Sequence, residues 1–419
     1  MVVDADMIDD HHWPGLFVRA QRQAMLDRCA LGWRGASLER RPWPRSLERC
    51  PLQVTIEEPG APPLPDGEAE EHRVEIPNPS VDERRELWRA LVPGARRWRG
   101  AAMADLVSQH AATVGDVAAV ARSGPSNPSE AAERLRESRR HRLSRLVQLL
   151  PCPFTWEDLV VPATLREALE DIVFEARERE RFWEQPEAQR MFPQGRGLLG
   201  LFTGSPGTGK TMAAQVVAGQ LGRDLVRVDL SRVVSKYVGE SSQRVQEILT
   251  RAVDEVVFFD ECDALFARRT KVEDAQARFA NTDTAHLLQA IESYSGVCLL
   301  ATNKRGNIDP AFIRRLRFVL EFPLPDEAGR LAIWRKVVGS FGGQDAVERL
   351  DPDLARLAEG LDSTGAQIKL AVLTGLFAAR RDDDELRAEH LVRGVERELM
   401  KDGRGLGPRD RELVLANVA

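Results

Sequence analysis

The sequence predicts an α/β protein, a parallel sheet flanked by helices, from three apolar runs that each end in polar chemistry. Leu198, Leu199, Leu201 and Phe202 lead into Gly204-Ser205-Pro206-Gly207-Thr208-Gly209-Lys210-Thr211; Val256 to Phe259 ends in Asp260-Glu261; Val297 to Thr302 ends in Asn303. Buried strands of a parallel sheet read as continuous apolar runs rather than alternating ones. Their polar ends share one edge, where open α/β sheets bind ligands.

Each polar end carries a distinct part of one chemistry. Residues 204–211 fit G-x-x-x-x-G-K-T, in which glycines turn backbone N–H groups around phosphate oxygens and the next helix adds its positive end. Lys210 reaches the β- and γ-phosphates and Thr211 offers a hydroxyl to Mg²⁺. Only seven of the 59 basic residues are lysines, so a lysine at this position is not a matter of composition. Asp260 is placed to hold the metal shell and Glu261 to polarise the attacking water. Asn303 holds water or the γ-phosphate without adding charge. Cradle, metal, water-positioning acid and charge stabiliser are what in-line phosphoryl transfer to water needs.

The motifs also stand in the order of a known family. From about Phe154 to about Lys401 the chain resembles the AAA ATPases of the Cdc48-like type, through the phosphate loop, Ser235-Lys236-Tyr237-Val238-Gly239-Glu240, Asp260-Glu261, Ala301-Thr302-Asn303, and Ile308-Asp309-Pro310 continuing to Arg314-Arg315-Leu316-Arg317-Phe318. The resemblance implies a P-loop AAA+ core over 151–324 and a small helical lid with a tail over 325–419, preceded by a mostly helical region over 1–150. It implies ATP as the nucleotide and Mg²⁺ as the metal, with the phosphates held by Gly204 through Met212 and adenine lying between Asp158, Val160 and the lid's Gly365 and Ala366. Asn303 becomes the sensor-1 residue, and Arg314 and Arg317 become arginine fingers toward a neighbouring subunit. The Pro-Gly usual between them is Arg315-Leu316 here, and the usual glycine pair near the adenine is Val160-Val161. Lys236, Tyr237 and Val238 correspond to a pore loop that grips polypeptide. The implied protein is a cytoplasmic homo-oligomeric ring, a hexamer, that hydrolyses ATP to remodel or thread a protein client in a chaperone-like way. The wording of 231–240 and 303–325 is most similar to bacterial ATPases encoded beside phage-tail-like contractile injection systems. A nucleotide-gated assembly or scaffold factor that does not thread is the alternative.

Composition agrees with this reading. The 419 residues suffice for two or three domains, and 43% hydrophobic with 30% charged residues is ordinary globular material. A net charge of −6 argues against a sequence-independent nucleic-acid binder, which needs a basic groove. The most basic stretch, Arg134 to Arg145, reads as the solvated face of a helix. Five scattered cysteines at 29, 50, 152, 262 and 298, without C-x-x-C spacing, fit a reduced chain. No run is long enough for a membrane span and the start has no signal-peptide core. His286 and His390 read as helix-surface residues, and the absence of H-E-x-x-H excludes a zinc protease of that type.

The N-terminal region contains an echo. Residues 74–92 align without gaps on 320–338, pairing Pro77 with Pro323, Pro79 with Pro325, Arg84 with Arg330, Trp88 with Trp334 and Arg89 with Arg335. Ala112 to Val117 resembles Ser363 to Ile368 more weakly. Residues 74–148 therefore read as the lid of a degenerate first module with no phosphate loop before it. Ser123 to Ser129 is a breaker-rich turn with Ser129 as helix cap, and the Pro- and Glu-rich stretch 57–71 reads as a loop.

Overall fold

The computed structural model describes the chain apart from residues 40, 42, 44–48, 51–52, 57–73, 75, 77, 111, 144–146, 193–195, 230–239, 253, 263–287, 305–309, 402, 404 and 406–419. Two compact units result, Met1–Asn78 and Pro79–Ala419. In the first, strands β1 (Val2–Asp4), β2 (Leu31–Arg34) and β3 (Gln53–Ile56) form a parallel sheet in that order, and helix α1 (Trp13–Leu26) joins the first two. Trp13 and Phe17 on α1 pack with Val3, Leu31, Trp33 and Leu38, and Phe17 stacks on Trp33 at 5.1 Å. The helical expectation for the N-terminal region applies to residues 79–143. The small sheet escapes periodicity because its strands are only three or four residues long.

The second unit opens with four helices, α2 (Val81–Leu91), α3 (Gly100–Gln109), α4 (Val114–Ala121) and α5 (Pro128–Leu143). Ser80 caps α2 and Thr113 caps α4, each in a reciprocal capping box with Glu83 or Asp116. Asn127, rather than Ser129, accepts from the Glu130 N–H at the start of α5. The basic stretch within α5 is not all solvated: Arg139 is buried and meets Asp254 at 2.6 Å.

Six strands then form the central sheet, in the order β4-β6-β7-β8-β5-β9. They are β4 (Gln148–Leu150), β5 (Leu198–Gly204), β6 (Leu225–Asp229), β7 (Val256–Asp260), β8 (Val297–Thr302) and β9 (Phe318–Phe322). All neighbouring pairs are parallel except the edge strand β4, so the core sheet begins slightly before residue 151. Every residue of β8 and all but the last of β5 and β7 are buried, as the continuous apolar runs require. One face is covered by α6 (Ala163–Trp183) and α8 (Lys210–Leu221), with α7 (Pro186–Met191) following α6; the other is covered by α9 (Glu240–Arg251). The short α10 (Pro310–Ile313) precedes β9.

The chain closes with α11 (Glu327–Gly360), α12 (Gly365–Arg381) and α13 (Ala388–Lys401). A φ of 75° at Gly343 breaks α11 into two helices. Asp326 caps α11 and Thr364 caps α12 in another capping box, with Gln367. His390 is buried here, not on the surface: its Nδ1 accepts from the Arg387 N–H and its Nε2 lies 3.6 Å from Asp382. All five cysteines are free, with Cys262 and Cys298 buried as small apolar residues. Among the described residues no helix is long and apolar enough to cross a membrane.

Candidate nucleotide site

The loop between β5 and α8 has the backbone that its glycines permit. Gly204, Gly207 and Gly209 have φ values of 148°, 79° and 101°, a region that side chains disfavour. A Cβ at Gly204 would lie 2.3 Å from the Phe322 carbonyl oxygen, and one at Gly207 would lie 2.8 Å from Thr364 Oγ1. Lys210 follows as the first residue of α8 and is buried. Its Nζ donates to the Gly204 carbonyl at 2.7 Å, the Ser205 carbonyl at 2.9 Å and Asn303 Oδ1 at 2.8 Å. The ammonium thus ties the loop after β5 to the residue after β8.

Asp260 and Glu261 arrive on the strand beyond. Arg227 of β6 meets Asp260 Oδ2 at 2.9 Å. Glu261 has a φ of 54°, uncommon for a residue with a Cβ, and its N–H donates to Asp260 Oδ1 at 3.1 Å. Such backbone is costly and tends to be retained where a side chain must be aimed. Glu261 lines the same cleft as the phosphate loop.

One cleft of about 930 Å³ collects most of the predicted residues. Pro206 to Met212, Asp158, Val160, Asp260, Glu261, Asn303, Gly365 and Ala366 all line it. Its roof comes from the C-terminal helices, where the Ala366 N–H donates to the Gly207 carbonyl at 3.3 Å. Lys336 and Lys369, which the sequence reading did not identify, also line it. Lys336 sits 3.4 Å from Asp158 Oδ1 and donates to the Glu157 carbonyl, and Lys369 lies over the Phe154 ring at 5.3 Å. Hydrogen bonds from Thr155, then the Lys336 charge, lower the Asp158 carboxyl below its ordinary value. No local pattern marks these lysines, because their partners lie far away in sequence.

Arg314 and Arg317 do not line this cleft. Arg314 is exposed. Arg317 pairs with Glu175 of α6 at 2.9 Å and lies over Phe318, while Arg315 pairs with Glu292. Lys236, Tyr237 and Val238 lie outside the described residues.

The residues present fit a magnesium nucleotide. A positive-φ glycine loop, a buried ammonium, and a threonine hydroxyl and carboxylates lining the same cleft suit phosphates and a hard cation that keeps most of its water. No group of three or more His, Cys, Asp or Glu side chains gathers among the described residues.

Residues 200–324 match the family described as "ATPase family associated with various cellular activities (AAA)". That stretch is thus similar to an AAA domain. The domain is similar to the 26S proteasome subunit RPT4 of Saccharomyces cerevisiae, 32% identical over 213 residues, 47% of this chain and 46% of that protein. It is similar to the proteasome-activating nucleotidase of Archaeoglobus fulgidus, 32% identical over 211 residues, 48% of this chain and 52% of that protein. It is also similar to the ATP-dependent zinc metalloprotease FtsH 3 of Sphaerobacter thermophilus, 32% identical over 282 residues, 63% of this chain and 54% of that protein. This chain spans about half the length of these relatives. Among solved structures, the crystal structure of the FIGL-1 AAA domain in complex with ADP matches 62% of this chain and 89% of that one, at 21% identity and a TM-score of 0.46.

Proposed function

We propose that the chain hydrolyses ATP and uses the cycle, as a homo-oligomeric ring, to remodel or thread a protein. The observation that carries the chemistry is the convergence of Lys210, Asn303 and the Asp260-Glu261 pair from three adjacent strands on one lid-covered cleft. Lys210 holds the β- and γ-phosphates, Thr211 and Asp260 hold Mg²⁺, which neutralises phosphate charge when bound, and Glu261 takes the proton of the attacking water. Asp158, Val160, Gly365 and Ala366 hold the adenine. The names of the relatives, a proteasome-activating nucleotidase and an ATP-dependent protease, support ATP use and protein clients.

In the same reading Arg314, which is exposed and does not line the cleft of its own chain, completes the site of a second copy in the ring. A hexamer, a cytoplasmic location and Tyr237 as the gripping residue belong to the same reading. The wording of 231–240 and 303–325 is similar to that of ATPases encoded beside contractile injection systems, and a nucleotide-gated assembly factor of such a system is the alternative. Two substitutions test the chemistry. Lys210→Ala is expected to abolish nucleotide binding, while Glu261→Gln retains ATP and loses turnover by roughly 10²–10⁴-fold, the range for a general base. Binding is read with a fluorescent nucleotide and turnover by phosphate release; full turnover in Glu261→Gln would overturn the assignment.

A further inference from the structure

We propose that residues 1–143 are a second AAA module, laid down in the same order as the one that carries the phosphate loop and chemically silent, whose lid half, residues 79–143, is braced against the catalytic sheet. The proposal rests on the AAA domain and not on its catalysis. The lid half of the argument lies in residues 79–143. Arg84 Nε donates to the Val107 carbonyl at 3.0 Å and its NH1 to the Pro79 carbonyl at 2.9 Å. Arg330 repeats this on the lid, Nε to Ala358 at 2.7 Å and NH1 to Pro325 at 2.9 Å. Trp88 and Trp334, four residues after each arginine, are equally buried. The third helix of each set starts at a threonine capping box, Thr113 with Asp116 and Thr364 with Gln367. Both sets comprise four helical segments around one apolar cluster.

The core half lies in residues 1–56, where β1, α1, β2 and β3 repeat the order and direction of β6, α9, β7 and β8. The register Asp4↔Arg34 matches Asp229↔Asp260, and the faces agree: Val3, Leu31 and Trp33 face α1 as Val228, Val257 and Phe259 face α9. The residue after the second strand has positive φ in both copies, Gly35 at 127° and Glu261 at 54°. From the end of the third strand to the Pro-x-Pro the two chains are equally long, Ile56 to Pro77 and Thr302 to Pro323.

The chemistry has gone from this copy. Arg34 and Gly35 stand where the catalytic copy has Asp260 and Glu261. Ala90 and Ala118 stand where Lys336 and Lys369 line the cleft. What the copy has instead is a set of ion pairs onto the catalytic module. Arg140 grips Asp224 at 2.5 and 2.6 Å, Arg139 meets Asp254 at 2.6 Å, and Arg84 reaches Glu180 at 2.6 Å. Asp224 and Asp254 precede β6 and β7, at the strand ends opposite Asp260. The corresponding residues of α13, Leu399 and Met400, carry no such charge. A lid that once covered a nucleotide therefore braces the sheet that hydrolyses one.

The test uses the full chain and ADP in equilibrium dialysis, with hydrogen exchange read over 79–143. One nucleotide per chain, and none in Lys210→Ala, is expected. Two per chain, or one retained in Lys210→Ala, would overturn the silent module. No binding by the wild type would instead defeat the proposed function, leaving the exchange arm to decide the brace. Arg140 is half-exposed, so Arg140→Glu is expected to keep the fold yet speed exchange in α5 about tenfold by leaving Asp224 unpaired. Arg140→Glu with Asp224→Arg is expected to restore it; unchanged exchange in Arg140→Glu, or no rescue in the swap, would sink the brace.

Discussion

At the scale of single residues, the two candidate arginine fingers are in different states. Arg317 pairs with Glu175 on its own α6, with both side chains substantially exposed, whereas Arg314 is exposed at the end of α10. An exposed ion pair is worth about 0–1 kcal/mol, so Arg317 can leave Glu175 at little cost when a neighbouring site calls for it. Arg314→Ala is expected to lower turnover by roughly 10³-fold or more, the scale of a finger, with nucleotide affinity nearly unchanged. Glu175→Gln is expected to leave turnover within about fivefold of wild type, the equivalent of 1 kcal/mol. Steady-state phosphate release across a range of protein concentrations checks both, since a residue acting on a second copy makes activity concentration-dependent. A large loss in Glu175→Gln would show instead that the pair holds α6 in a working position.

Among elements, the phosphate loop and the lid meet in close contact over the cleft. Gly207 has a φ of 79°, and a Cβ there meets Thr364 Oγ1 at 2.8 Å and Ala366 Cβ at 3.0 Å. Gly207→Ala thus combines backbone strain with a clash against the cap of α12. It is expected to weaken nucleotide binding by about tenfold or more, since 1.4 kcal/mol already gives that factor, while the distant sheet stays intact by circular dichroism. Lys336 spans the other end of the same closure, from α11 to Asp158. Lys336→Ala removes a partly exposed pair and is expected to speed release of a fluorescent nucleotide by up to about fivefold. Release slower than wild type would mean that Lys336 opens the lid rather than holding it.

Across the whole second unit, the contact between α5 and the sheet buries carboxylates beside arginines. Burial first, and Asp224 second, push the Glu255 carboxyl up to about 7, while its Oε2 accepts from the Asp224 N–H at 2.7 Å. A raised folded value means that the folded chain holds the proton more tightly than the unfolded one. Stability contributed by this group is therefore greatest below about pH 4.5 and declines as pH rises toward 7. Glu255→Gln keeps an acceptor without the charge, so it is expected to gain on the order of 1–3 kcal/mol at pH 8 and almost nothing at pH 4.5, by denaturant melts. His110 works in the opposite sense. Burial first, then Arg139, lowers it to about 3, so its contribution is lost as pH falls from about 6.5 toward 3.

The phosphate loop, Asp260, Glu261 and Asn303 were legible in the sequence because phosphate chemistry fixes residue identity at short spacing and places it at the ends of apolar runs. The parallel sheet was legible for the same reason, since strands buried on both faces leave no polar alternation. The repeat of Arg84 and Trp88 in Arg330 and Trp334 was legible as a pattern of side chains. What the tertiary structure decided is everything that depends on segments distant in sequence coming together. Lys336 and Lys369 joined the cleft through Asp158 and Phe154, Arg227 found Asp260, and Arg317 found Glu175. Arg139 became a buried partner of Asp254 and His390 a buried one of Asp382, although both look like surface residues on a helix. The three strands of residues 1–56 are each too short to show a period, and only their pairing makes them a sheet.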